Sequence, residues 1–518
     1  MPFSRPNLLL IMCDQLRFDA LRAAGNDIIQ TPNLDRLCAE GVRFAYGYTE
    51  SPVCVSARAI CMTGQLPHRT GIFDNGYPLP ADHPTVMTRL RAEGYFTQAI
   101  GKMHFSPVRE HHGFDRMWLS EEVPRRVEND EFLQDVLSAG YGHVEEPHGI
   151  RHELYYIPQI SQLPERLHTT AWTAQRTIDF IEERASENAP FFCWTSFIKP
   201  HPPFDPPSPW HRLYRSTDMP LPNRSENEIA WHTWFQRSQN RSKWMDLFPD
   251  DNLLRTMKAY YFACVSFVDS WVGEILEALE TTKQRENTLI MFVADHGEFL
   301  GDHFAFGKRN YHEPACHIPY ILSWPGTLPE GAVREHLVGL QDVTPTLLSA
   351  AGLPLDQPEF DGMSLLSVAQ DGSYASRPYL FGQIKEKNHG MYCAMNDEWK
   401  YIYCAPDRME ILLNYRDDSN ELINHAHEPG LSEVKQELRE ALFAHFRAVK
   451  YADPLDGDDW ALYPQPTHAW LRLDEMENKE EVGRGWQFAR WTKEYPVDGR
   501  QRAQHENYQF VDGSTDAR

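Results

Sequence analysis

The chain is 518 residues long, 42% hydrophobic and 24% charged, which excludes a fibrous or disordered chain and supplies enough apolar side chains for a sizeable core. Asp and Glu number 74 against 50 Lys and Arg, and the net charge of -24 repels phosphate backbones and anionic membranes, so nucleic acid and membrane are not expected partners. An anion would bind only in a pocket built for it from metal or clustered Lys, Arg and His.

The first apolar run, 8–13, is too short for a secretory core and leads straight into Asp14, so it is read as a first strand. No stretch approaches the roughly 18 to 20 apolar residues that span a bilayer. The 9 cysteines are scattered, with no C-x-x-C pair, in a chain that needs no staples, and this points to the cytoplasm. Apolar runs alternate with helical patterns, the signature of an α/β fold with a largely parallel sheet. Strands are expected at 8–12, 191–195, 289–293 and 320–323, and helices at 33–40, 86–93, 171–185 and 255–280. From about 381 the pattern changes to two antiparallel strands, 391–395 and 399–403, joined by Asn396-Asp397-Glu398, with a helix over 434–449. The expected division is a catalytic domain over 1–380, a smaller α+β subdomain over 381–452 and a Trp-rich, charged tail over 453–518. Such a tail wraps its own domain or a neighbouring subunit, which suggests a homo-oligomer, a dimer or tetramer.

Two of these strands end in oxygen and nitrogen ligands: the first runs into Asp14-Gln15, and 289–293 into Asp295-His296. Ligands of an open parallel sheet bind beyond the carboxyl ends of its strands, so both pairs can converge on one cation. Two carboxylates, an amide oxygen and an imidazole suit a divalent ion such as Ca²⁺ or Mn²⁺. A single strand-end Asp more often caps the next helix; the presence of both pairs favours metal. Further along, Ser51-Pro52-Val53 leads into a helical pattern that puts Cys54 near a helix N-terminus, where amides and dipole favour an anion, and Arg58 one turn on along the same face. Taken alone, a Cys at a helix start is more often a small buried residue, and Ser56 is equally a cap. A proline-dense loop, 200–209, carries His201 just past a strand end. The segment around Gly301, Gly307 and Lys308 fails the P-loop spacing, and there is no G-x-S-x-G elbow or G-x-G-x-x-G fingerprint.

The ordered set of Asp14-Gln15, Cys54-x-x-x-Arg58 followed by Thr63-Gly64, Gly101-Lys102-x-His104, and Asp295-His296-Gly297-Glu298 with Gly301-Asp302-His303 resembles the type I sulfatase and phosphonate monoester hydrolase group of the alkaline phosphatase superfamily. The resemblance covers roughly the first three quarters of the chain. It implies an alkaline-phosphatase-like fold, a mixed, mostly parallel sheet flanked by helices. It also implies that the Cys of a C-x-[Pro/Ala]-x-Arg motif is oxidised to Cα-formylglycine by a formylglycine-generating enzyme, its hydrate being the nucleophile. Here the motif reads Cys54-Val55-Ser56-Ala57-Arg58, with Ser in place of Pro or Ala.

By the same resemblance, Asp14, Gln15, Asp295 and His296 hold the metal and Arg58 orients the hydrate. Lys102 and Lys308 neutralise the transferring group, and Asn75 donates a hydrogen bond to it. His201 protonates the leaving group, and His104 takes a proton from the second hydroxyl so that sulfate is expelled. Asp302 and His303 are read as supports for the ligands or as caps. The function implied is metal-dependent hydrolysis of aryl or alkyl sulfate monoesters. The alternatives are a phosphonate monoester or phosphodiester hydrolase with the same site, and a non-catalytic anion-binding protein in which Ser56 blocks conversion of Cys54. Trp118, Glu121 and Glu122 are conceivable contacts for a quaternary amine on the substrate, or simply packing.

Overall fold

The computed structural model describes residues 5–464 apart from 125, 152, 153, 188, 244, 246–248 and 356–358, so most of the tail, 465–518, lies outside the described residues. Eight strands form one sheet: β1 (Asn7–Cys13), β2 (Val42–Tyr48), β3 (Phe96–Gly101), β4 (Arg116–Leu119), β5 (Phe191–Phe197), β6 (Thr288–Ala294), β7 (Tyr320–Ser323) and β8 (Ala332–Gly339). Their order is β4-β3-β5-β1-β6-β7-β2-β8, and β7 runs antiparallel to both β6 and β2 while the other pairs are parallel. The mixed, mostly parallel sheet flanked by helices is the architecture expected from the sequence.

The central strands β1, β5 and β6 are buried at every position, because helices cover both faces, and this is why they read as unbroken apolar runs. The strands β2, β3, β4 and β8 carry Arg43, Gln98, Arg116 and Arg334 within the run and lack that signature. The expected helices lie at Pro32–Ala39, Val86–Ala92, Thr169–Arg184 and Asp251–Thr281. The last begins one turn before the apolar stripe does, because the Asp250 side chain accepts from the N–H groups of Asn252 and Leu253 and caps it there.

Register sets the site. Cys13 lies opposite both Phe197 and Ala294, and Gly101 opposite Ser196, so β1, β3, β5 and β6 end level. The residues that follow them, Asp14, Lys102, His201 and Asp295, therefore emerge along one edge of the sheet.

A second, antiparallel sheet contains β9 (Leu380–Ile384), β10 (Met391–Met395), β11 (Trp399–Cys404) and β12 (Met409–Asn414), in the order β12-β11-β10-β9. On one face the helix Ser432–Ala448 buries Leu438, Leu442 and Phe446. Trp460, from the hairpin of β13 (Leu455–Asp456) and β14 (Asp459–Trp460), stacks on Tyr403 at 4.0 Å on that same side, so the start of the tail packs on its own chain. On the other face Ile384, Cys393 and Ile402 join a cluster with Tyr48, Val53 and Leu337, which seats the small sheet beside the segment leading to Cys54. All nine cysteines are buried and free. Among the described residues no helix is long and apolar enough to cross a membrane.

Candidate active site

Cys54 opens the helix Cys54–Thr63, after an extended Val53. Its Sγ lies 3.1 Å from Nε2 of His296 and 3.9 Å from Oδ1 of Asp14. One ligand atom from each of Asp14, Cys54, Asp295 and His296 falls within 4.8 Å of all the others, and the four residues are buried. Two buried carboxylates this close repel: burial, then Asp14, pushes the Asp295 carboxyl up to about 6. A divalent cation would relieve that repulsion, and two carboxylates with an imidazole form a donor set that fits one.

Gln15 joins this group through its backbone. Its N–H donates to Oδ1 of Asp295 at 3.0 Å from a left-handed φ of 67°. Its side-chain Oε1 accepts from Nζ of Lys308 at 2.9 Å, and its Nε2 contacts Glu298. The structure thus turns the Gln15 amide oxygen towards Lys308.

Arg58, one turn into the helix, ties the acidic ligands together from beneath. Its Nε donates to Oδ2 of Asp295 at 3.2 Å and its Nη2 to Oδ2 of Asp14 at 3.3 Å. Its Nη1 donates to the Lys102 carbonyl at 2.6 Å and to Oγ of Ser196 at 2.8 Å. The ammonium of Lys102 lies 2.6 Å from Oδ2 of Asp14 and 2.5 Å from Oε2 of Glu122. Burial would raise the Asp14 carboxyl, but Lys102, His201, His296 and Arg58 outweigh it and hold it well below the usual range. Burial and Asp14 would likewise raise the Cys54 thiol, yet Lys308, Lys102 and His296 win and hold it well below its ordinary value. The position of Sγ therefore favours negative charge.

His201 follows β5, and its Nδ1 is 2.7 Å from the carbonyl oxygen of Pro202, so Nδ1 carries the hydrogen. Nε2 then faces Nζ of Lys308 at 3.3 Å and the Tyr155 hydroxyl at 3.4 Å. Burial, then Lys308 and Lys102 against the opposing Glu122 and Asp14, keep this ring well below the ordinary histidine range. Asn75 accepts from the Val55 N–H at 3.2 Å. Cys54, Asn75, His201 and Lys308 share the wall of one cavity that opens to solvent.

His104 stands apart from that wall. Held at a φ of 60°, with its N–H donating to Glu121 at 3.0 Å, it lines an adjoining depression with Arg58 and Met103. Asp302 takes a guanidinium hydrogen bond from Arg17 at 2.7 Å, and His303 contacts Glu228, so both brace the loop after β6 and neither enters the donor group.

The three residues considered for a quaternary amine are otherwise engaged. Trp118 sits in β4 beneath the guanidinium of Arg116, 4.2 Å from the ring centre, and is not in the cavity wall. Glu121 binds the N–H groups of Met103 and His104, and Glu122, though in the wall, is paired with Lys102 and Arg151. Sequence reasoning missed the structural part of Glu122, which bridges Lys102 and Arg151 and lies 3.5 Å from Nδ1 of His201. It also missed Tyr155, Lys243, Arg309 and Lys385 in the wall. None of these belongs to a motif, and only the folded loops bring them to the cavity.

The family model described as Sulfatase matches residues 6–353, which contain every one of these strand-end residues. The chain belongs to the sulfatase family. It is thereby a hydrolase, and a further model, N-sulphoglucosamine sulphohydrolase, C-terminal, matches residues 301–448. This sulfatase is 29% identical over 501 residues to the choline-sulfatase of Rhizobium meliloti (strain 1021), covering 92% of this chain and 93% of that one. It is 28% identical over 455 residues to an arylsulfatase of Clostridium perfringens (strain 13 / Type A), covering 81% and 90%. Among solved structures it resembles the phosphonate monoester hydrolase of Agrobacterium radiobacter, with a TM-score of 0.73, 25% identity, and coverage of 86% and 96%.

Proposed function

We propose that this sulfatase hydrolyses sulfate monoesters with a Cα-formylglycine derived from Cys54, beside one divalent metal ion, Ca²⁺ or Mn²⁺. The observation that carries the reading is the place of Cys54: its Sγ is 3.1 Å from Nε2 of His296, within the buried carboxylate and imidazole group, at a position that favours negative charge. A formylglycine hydrate supplies an oxygen nucleophile there and a second hydroxyl through which the aldehyde re-forms. A cation held by Asp14, Asp295 and His296 supplies positive charge next to that oxygen.

The chain's own residues do the rest. Arg58 fixes the two carboxylates, and Lys102 and Lys308 offset the charge of the transferring sulfate. Asn75 caps the first turn of the Cys54 helix from the cavity wall. His201 holds Nδ1–H on the Pro202 carbonyl and presents Nε2, which takes a proton from the adjacent Lys308 ammonium and passes it to the leaving alkoxide. A hydrate carries two oxygens on one carbon, and only one can take the place of Sγ beside His296. His104 is assigned as the base for the other. Maturation needs a formylglycine-generating enzyme acting on Cys54-Val55-Ser56-Ala57-Arg58. Nine buried free thiols suit a reducing compartment such as the cytoplasm; the tail expected over 453–518 to make a homo-oligomer contact lies mostly outside the described residues.

The likeness to a phosphonate monoester hydrolase favours a second reading, hydrolysis of phosphonate monoesters or phosphodiesters at the same site. Initial rates on matched aryl sulfate, aryl phosphonate monoester and phosphodiester separate the two. A higher kcat/KM on the sulfate is expected. A phosphonate or phosphodiester preference would overturn the sulfatase assignment in favour of the second reading, and inertness on all three would leave an anion-binding protein with unconverted Cys54.

A further inference from the structure

The cavity at Cys54 has an outer wall made of different elements from its floor. Lys243 caps the C-terminal end of the helix Trp234–Ser242, Arg309 follows Lys308 in the loop after β6, and Lys385 follows β9 of the second sheet. These three half-buried cations face the same space. A single carboxylate serves two of them: Asp74 takes Nη1 of Arg309 on Oδ1 at 2.6 Å and Nζ of Lys385 on Oδ2 at 2.7 Å. Among the described residues Lys243 has no carboxylate in ion-pair range. Its ammonium lies over the rings of Tyr155 and Tyr156, 5.3 and 5.8 Å from their centres, and burial together with Lys308 pushes it down to about 7. The acidic member of the cavity wall, Glu122, is already bound by Lys102 and Arg151.

The wall therefore carries more positive charge than the protein neutralises, since Asp74 offsets only one of Arg309 and Lys385 and an entering anion would restore the full charge of Lys243, in a chain whose net charge is -24. Such a surplus costs energy in the empty protein and is repaid only when an anion enters. Two of the three residues also hold uncommon backbones. Arg309 has a φ of 62° and Lys385 a φ of 54°, each anchored by its N–H, to the carbonyls of Pro52 and Phe73. Left-handed φ at non-glycine residues recurs in ligand clamps, where surrounding structure must hold it.

The sulfate undergoing transfer already has Lys102, Lys308 and the metal site for its charge. We infer that the alcohol half of the substrate carries a second anionic group, a carboxylate or a second sulfate, received by Lys243, Arg309 and Lys385. This rests on the sulfate ester reading above and narrows its substrate class. It also disfavours a cationic alcohol, whose charge would face three cations.

Four esters on one ring test it by sulfate release: phenyl sulfate, and phenyl sulfates bearing at the meta position a carboxylate, a second sulfate or a trimethylammonium group. The trimethylammonium phenol is the better leaving group, so intrinsic reactivity works against the expected order. The expectation is a kcat/KM at least about tenfold higher for an anionic ester than for the trimethylammonium one, and the comparison of carboxylate with sulfate identifies which anion is read. In Lys243→Gln, which removes no ion pair among the described residues, and in Lys243→Gln combined with Lys385→Gln, that ratio falls towards one; Lys243→Glu inverts it. A wild-type ratio at or below one, or a ratio that none of these substitutions moves, overturns the proposal. If no ester is hydrolysed, the sulfatase reading fails separately, and calorimetric binding of the same four compounds to wild type and Lys243→Gln decides the cationic wall by the same ratio.

Discussion

Nε2 of His201 lies 3.3 Å from the ammonium of Lys308, while its other ring nitrogen is tied to the Pro202 carbonyl at 2.7 Å. The ring is thus fixed in one tautomer with a single nitrogen facing the reacting space, next to a proton source. If His201 delivers the leaving-group proton, the effect of His201→Gln must depend on the alcohol. An alkyl sulfate, whose alkoxide needs the proton, is expected to lose about 10² to 10⁴ in kcat. An aryl sulfate of an acidic phenol should lose less than about tenfold. Equal losses on both esters would remove His201 from proton transfer.

Lys102 is wholly buried between two carboxylates, Asp14 and Glu122. Removing it leaves two buried anions short of a counter-charge, and Lys102→Ala is expected to cost about 3 to 5 kcal/mol in urea unfolding. The contrast is Arg91, paired with Asp115 at 2.9 Å but 58% exposed. Arg91→Ala should cost no more than about 1 kcal/mol. Similar losses from both would mean that the Lys102 carboxylates are not held as described.

Glu50 supplies a pH dependence away from the reacting groups. Its carboxylate accepts from the N–H groups of Gln341 and Leu340, but burial, then Asp342, pushes its pKa up to about 8. A folded value above the unfolded one means that the folded state binds the extra proton. The contribution to stability is complete below about 4.5 and is lost as pH rises through about 8. Thermal stability should therefore decline over that window, and Glu50→Gln should flatten the decline. An unchanged slope in Glu50→Gln would contradict the assignment.

Much of this site was legible before folding was considered, for a physical reason. Asp14 and Asp295 directly follow β1 and β6, and residues at the carboxyl ends of buried parallel strands converge whatever the loops do; Lys102, after β3, was legible only through the family motif it shares with His104. Cys54 and Arg58 share one helix, so their spacing fixes their relation. The strand β3 itself was harder to read, because Thr97 and Gln98 interrupt its apolar pattern and are buried by hydrogen bonding to their neighbours. The outer wall was not legible at all. Lys243, Arg309 and Lys385 come from three distant segments, and nothing in sequence spacing relates the end of a helix to the end of a strand in another sheet. Ser56, which departs from the family motif, has a buried hydroxyl with no hydrogen-bond partner, and nothing in the structure explains the preference for Ser there.

The paired carboxylates of Asp14 and Asp295 make metal a stability question as well as a catalytic one. A divalent ion that binds only the folded state should raise unfolding free energy by about 2.7 kcal/mol at a hundredfold excess over its Kd. Ca²⁺ or Mn²⁺ added after chelation should raise Tm, and Asp295→Asn should abolish the rise. A Tm indifferent to both ions would dispose of the metal site.

If Cys54 acts only after becoming formylglycine, a change that removes H₂S from the residue and adds one oxygen atom, activity must follow conversion. The most direct measurement follows the mass of the Cys54 peptide alongside aryl sulfate hydrolysis, across preparations made with increasing amounts of a formylglycine-generating enzyme. Specific activity is expected to be proportional to the converted fraction, on a line through the origin, with Cys54→Ala inactive. Full activity in a preparation whose peptide retains the thiol, or none in a fully converted one, would contradict it.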